Sequence, residues 1–134
     1  MPAYEIRSIS DIASCLDSQT IDSDTTTVGE TIDTKDYGSL DFCFNCEVTA
    51  GSFVAYVYEG DESNMSDEAV VSGTGSMVVG SASIASGATG TQTMQIAYNG
   101  NKRYARTKVV SDDSANAICS GIAFQSIAKH ASTL

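Results

Sequence analysis

Thr93–Val110, TMQIAYNGNKRYARTKVV, is the stretch on which the fold of this chain turns. On either side of Tyr98-Asn99-Gly100-Asn101 the residues alternate as they do in a β-strand, whose successive side chains point to opposite faces. Asn-Gly is the strongest short-range hairpin signal, because a type I′ turn needs positive φ at both central residues. Two strands of one hairpin are expected here. Beyond the turn, Tyr104, Arg106 and Lys108 alternate with Arg103, Ala105, Thr107 and Val109, so one face is cationic and the other is small or apolar. Four of the chain's seven basic residues lie between Lys102 and Lys108. Arg and Tyr are enriched at the centres of protein contacts, which makes Lys102, Tyr104, Arg106 and Lys108 the candidate interface.

Working outward, Leu40–Val48 is the clearest strand. Leu40, Phe42, Phe44, Cys46 and Val48 form its apolar face, with Asp41, Cys43, Asn45 and Glu47 opposite. Phe53–Glu59 is apolar or aromatic on both faces, as expected of a central strand or one at a subunit contact. Val28–Ile32, Ala69–Val71 and Met77–Val79 read as shorter strands, the last two separated by the turn Ser72–Gly75. Gly80–Gly90 reads as a small-residue loop. Ala117–Ala128 closes the series, with a bulge or bend expected near Gly121. About eight short strands with glycine-rich turns predict an all-β, single-domain antiparallel sandwich over residues 28–134. Residues 1–27 are expected to be an N-terminal arm and connector. Ile9, Ile12, Ala13 and Leu16 also fall at helical spacing behind Ser8, but an extended arm along a neighbour is preferred.

The charge is lopsided. Residues 1–100 carry fifteen acids against Arg7 and Lys35, a net of −13, while residues 101–134 carry a net of +3. An acidic chain lacks the broad basic footprint that nucleic-acid binding demands, and no nucleic-acid partner is expected. No apolar run approaches the roughly twenty residues needed to span a bilayer, and MPAYEIRSIS has no secretory n- and h-regions. Assembly in the cytoplasm, away from membranes, is the expectation.

Chemistry-bearing motifs are weak. Cys43 and Cys46 have CxxC spacing, but residues three apart on a strand face opposite ways and can neither pair nor share a metal easily. Cys15 and Cys119 are isolated, so the four cysteines read as reduced small hydrophobes. Asp22 and Asp24 lack the ligand series and glycine of a calcium loop. The acidic loop Gly60–Glu68 carries four carboxylates without a cleft around them and reads as solvated, though a bound cation there stays open. The glycines of 80–90 lack the lysine of a phosphate loop, and His130 is the only histidine. No catalytic residue, metal or cofactor is expected.

Several segments together resemble a family of small proteins encoded among tailed-bacteriophage head genes. They are Ile32–Leu40, Val48–Phe53, the acidic Glu59–Ser63 followed by Ser66–Ala69, Ile96–Arg106, and the closing strand before Lys129-His130. The pattern Tyr98-x-Gly100-x-Lys102-Arg103-Tyr104-x-Arg106 is its most specific part. Ala97 stands where a glycine is usual and Ala131 where a proline commonly follows the histidine, departures that concern turn geometry and edge packing. The resemblance covers roughly residues 28–130. It implies a β-sandwich virion protein of the capsid decoration or cement type: a non-enzymatic protein on the capsid exterior that binds the major capsid protein and is homo-oligomeric on the lattice. The alternatives are a phage tail or neck protein and a carbohydrate- or receptor-binding sandwich. Sugar platforms usually expose Trp or Tyr, and this chain has six tyrosines and no tryptophan.

Overall fold

The structure, a computed structural model, describes residues 10–35, 37–71, 78–79 and 83–128. Eleven strands occur among them: β1 (Ser10–Ile21), β2 (Thr26–Val28), β3 (Ile32–Asp33), β4 (Tyr37–Ala50), β5 (Phe53–Gly60), β6 (Ala69–Val70), β7 (Val78–Val79), β8 (Ser83–Ile84), β9 (Gly90–Tyr98), β10 (Tyr104–Ser111) and β11 (Asn116–Ala128). Every pairing between them is antiparallel. The first sheet runs in the order β1-β11-β4-β9-β7. The second runs β2-β10-β5-β6, with β3 beside β10 and β8 beside β5. The protein is thus an all-β antiparallel sandwich.

Side-chain alternation builds the core. The apolar face of β4 is buried from Leu40 to Val48, and β5 contributes Phe53, Ala55 and Val57. Ile96 and Met94 enter from β9, and Ala105 and Val109 from β10. Each large side chain so buried is worth about 1.5–3 kcal/mol relative to exposure. Opposite Phe42, Phe44, Cys46 and Val48, β11 presents only small groups: Ala123, Gly121, Cys119 and Ala117 in turn. A Cβ on Gly121 would meet the Phe44 ring at 2.7 Å and Cys15 Sγ at 2.9 Å. Gly121 therefore makes room for its neighbours. β11 runs straight through it, and the irregularity lies in β1, whose register against β11 shifts between Ser14 and Leu16 and again before Gln19.

The expected Asn99-Gly100 hairpin does not form. β9 pairs with β4 in the first sheet, and β10 pairs with β5 in the second. Neither Asn99 nor Gly100 has a positive φ. Residues 99–103 instead form a corner that carries the chain from one sheet to the other. The reason is burial: Met94, Ile96 and Tyr98 and then Ala105, Thr107 and Val109 line the core from opposite sides, which two strands of one sheet could not do. Thr34 fixes the corner by donating its Oγ1 to the carbonyls of Lys102 at 3.2 Å and Arg103 at 2.7 Å.

Residues 10–27, read as arm and connector, enter the sandwich instead. β1 pairs along β11, and Cys15, Leu16 and Ile21 are buried in the core. Its polar residues conceal this, since Ser, Asp and Gln are frequent in the stretch and the apolar positions do not follow a strict alternation, Ile12 being exposed while Cys15, Leu16 and Ile21 are buried. The expected strand Val28–Ile32 is split into β2 and β3, and Gly29 sits between them, hydrogen-bonded to Thr107 O at 2.8 Å. Part of the expected loop 80–90 forms β8. Residues 1–9, the turn Ser72–Gly75 and the tail with His130 lie outside the described residues.

Candidate interface

Tyr104, Arg106 and Lys108 all point outward from β10, as their alternation with the buried Ala105, Thr107 and Val109 requires. Lys102 does not join that row. It precedes the strand, in the corner, where its Nζ lies 2.9 Å from Asp61 Oδ2. Across the ladder, Arg106 stands opposite Tyr58, Lys108 opposite Tyr56 on one side and Val28 on the other, and Val110 opposite Val54. The outer face of the second sheet is therefore aromatic and aliphatic around two cations. Val70 is 52% exposed, Val28 48% and Tyr56 43%.

The cations on this face are not bare. Glu68, at the end of the acidic loop, accepts a hydrogen bond from Arg106 Nη2, and its Oε2 lies 3.1 Å from Lys108 Nζ. Lys108 Nζ also sits 4.2 Å from the centroid of the Tyr58 ring. The neighbouring Arg103 forms a two-pronged contact with Asp33, Nε to Oδ1 at 3.0 Å and Nη2 to Oδ2 at 2.9 Å. Each basic residue of 102–108 thus meets a carboxylate of its own chain. Sequence separations of 38–70 residues made these partners invisible to local patterning.

The acidic loop is organised for this role. Asp67 accepts the backbone N–H groups of Asp61 at 2.9 Å and Glu62 at 3.2 Å, closing the loop on itself. Met65 takes a left-handed φ of 59° and is buried beneath it. The backbone hydrogen bond to Asp61 N–H first, and that to Glu62, hold the Asp67 carboxyl below its ordinary range. Burial pushes the Glu68 carboxyl up, but the hydrogen bonds and charges of Arg106 and Lys108 outweigh it and bring it down. Glu68 is an anion placed between two cations. The loop read as solvated is ion-paired to the basic strand, and among the described residues no group of three or more His, Cys, Asp or Glu side chains is placed to hold a metal ion.

At the corner, Tyr98 OH donates to Glu59 Oε1 at 2.6 Å and accepts the Lys102 N–H at 3.3 Å. Burial, then the Glu59 carboxylate, pushes the Tyr98 hydroxyl well above its ordinary pKa. It acts as a fixed neutral post that ties the two sheets together where they meet.

The outer face of the first sheet is different. Ile12, Ile118 and Ile122 are exposed there, beside a shallow groove of about 540 Å³ lined by Leu16, Cys43, Asn45, Thr93, Gln95 and Ile122 among others. Among the described residues no helix is long and apolar enough to cross a membrane.

No protein-family model matches this chain, and no curated protein matches it in sequence. Its fold does have counterparts among solved structures. The crystal structure of PBSX exported protein XepA is similar with a TM-score of 0.58 at 11% identity, over 96% of this chain and 40% of that one. A chain in the structure of infectious bursal disease virus, Gx strain, gives a TM-score of 0.53 at 13% identity, over 89% of this chain and 32% of that one. SPBc2 prophage-derived protein YomS is covered over 95% of its length, with 14% identity and a TM-score of 0.49 over 87% of this chain. This chain spans well under half of XepA and of the viral chain. At such identities the likeness is one of fold.

Proposed function

We propose that this protein is a non-enzymatic structural component of a phage virion, which decorates the capsid exterior by binding the major capsid protein through the outer face of its second sheet. One observation carries the proposal. Exposed Val28, Tyr56, Val70 and Val110 surround an Arg106–Glu68–Lys108 cluster in which one carboxylate is shared by two cations, the pattern of an apolar contact centre with Arg and Tyr anchors. Sharing the Glu68 carboxylate lowers the cost of covering the two cations, because one uncompensated positive charge has to leave water in place of two. The resemblance at Tyr98–Arg106 and the fold shared with PBSX exported protein XepA and with a chain of infectious bursal disease virus support a virion setting. A protein that binds only the assembled lattice stabilises it by mass action, and copies repeated on the lattice make it a homo-oligomer in effect. The virion is then its location, reached by assembly in the host cytoplasm.

Co-sedimentation with capsids lacking the protein tests this. Tyr56→Ser with Val70→Ser should leave the fold intact and reduce bound protein at least tenfold. Undiminished binding by the double variant overturns the assignment of this face. A second reading, a glycan-binding module, is favoured only by the Asn45, Thr93 and Gln95 groups along the groove of the first sheet. It predicts binding to host-surface glycans and none to capsids.

A further inference from the structure

The cysteines carry an inference independent of that surface. Cys46 of β4 and Cys119 of β11 are direct partners across the ladder, and both point into the core, 0% and 1% exposed. Their thiols face one another across the pair, close enough for each to perturb the other. Directly opposed residues of an antiparallel pair have Cα atoms about 4.5–5.5 Å apart, within the roughly 4.4–6.8 Å that a disulfide spans. The other cysteines are placed differently. Cys43 lies on the outward face of β4, as its spacing from Cys46 requires, and Cys15 packs its sulfur toward Gly121 at the irregularity of β1. All four are thiols in the structure.

We propose that Cys46 and Cys119 are a latent covalent latch between two neighbouring interior strands of the first sheet, open in a reducing compartment and closed by oxidation outside it. The oxidant is a small-molecule disulfide. The thiolate of one cysteine attacks it, forming a mixed disulfide and releasing one small thiol. The second thiolate attacks the protein sulfur of that mixed disulfide, an Sγ–Sγ bond forms, and the other small thiol leaves. Two protons and two electrons pass from the pair to the oxidant. Burial governs the rate: the folded ladder shields both sulfurs, so closure follows transient opening of β4 from β11 or accompanies folding. Once closed, the bond is shielded from reductants in the same way. For a particle assembled in a reducing cytoplasm and released into an oxidising medium, the latch would set after release.

The test uses the full chain, unfolded and refolded in parallel in oxidised and in reduced glutathione, then alkylated in denaturant and mapped by mass spectrometry. The latch predicts loss of two of the four thiols, a cross-linked Cys46–Cys119 peptide pair, and a Tm higher by roughly 5–15 °C than in the reduced sample. Cys43→Ser should keep the cross-link and Cys119→Ala should abolish both it and the Tm difference. If Cys119→Ala fails to fold, the peptide map of the wild type decides alone. Four free thiols after oxidative refolding, stable glutathione adducts on Cys46 or Cys119, or a bond that uses Cys15 or Cys43 would overturn the proposal.

Discussion

Replacing Glu68 with Gln removes one charge and little else, and so isolates the ion cluster on the second sheet. In the wild type its carboxylate answers both Arg106 and Lys108, and the Arg106 and Glu68 side chains are only 20% and 19% exposed. Without it, two cations two residues apart on one strand face are left together. An exposed ion pair contributes about 0–1 kcal/mol, whereas breaking a fully buried one costs about 3–5 kcal/mol. With about a fifth of each side chain still wet, the expected loss lies between, about 1.5–3 kcal/mol. For a chain of this size that corresponds to a Tm lower by roughly 5–10 °C at pH 7 and low salt. The pH dependence has a definite sign. The folded carboxyl sits below the unfolded value, so its stabilisation is present above about pH 4.5 and is lost as pH falls through the folded value. Thermal melts of both proteins from pH 8 to pH 3 should show the gap at its full size at neutrality and closing in acid. Equal Tm values at pH 7, or a gap that widens on acidification, would refute this account of the cluster.

Three further outcomes follow from the core and corners. Tyr98→Phe removes the hydroxyl shared by Glu59 and Lys102 and should cost about 1–2 kcal/mol in urea unfolding. Because the folded Tyr98 pKa is raised, its stabilisation is complete below about pH 10 and fades above it, so the wild type should lose stability in strong base faster than Tyr98→Phe. Gly51→Ala puts a Cβ into the backbone of Ala115 at a residue with φ of 85°, and should lower stability by about 2–4 kcal/mol with no change in capsid binding per folded molecule.

The long alternating strands were legible in the sequence. Leu40–Val48 buries the face its pattern predicts, Phe53–Glu59 lies inside its sheet between β10 and β6, and Ala105, Thr107 and Val109 turn inward while Tyr104, Arg106 and Lys108 turn out. What failed was partnership. Asn99-Gly100 is a local turn signal, but whether two strands share a sheet depends on which faces must be buried together, and here the core on both sides pulled them into different sheets. β1 was obscured because an edge strand can carry Ser, Asp and Gln on its wet face, while Cys15, Leu16 and Ile21 are buried in the core and Ala13 packs against it. The candidate interface was half legible. The outward row was found, but Glu68 was not linked to it, since only the folded loop brings residue 68 to residues 106 and 108. The Cys46–Cys119 pairing has the same origin: it depends on the register of β4 against β11, which no spacing within either strand encodes.

The central claim is that the second sheet's outer face docks on a capsid. Cryo-electron microscopy of particles reconstituted with and without the protein measures it most directly. The account predicts added density at repeated positions on the capsid exterior, fitted by the sandwich with Tyr56, Tyr58, Arg106 and Lys108 toward the major capsid protein. Density only at the tail or neck, none at all, or a sandwich docked through Ile12, Ile118 and Ile122 of the first sheet would contradict it.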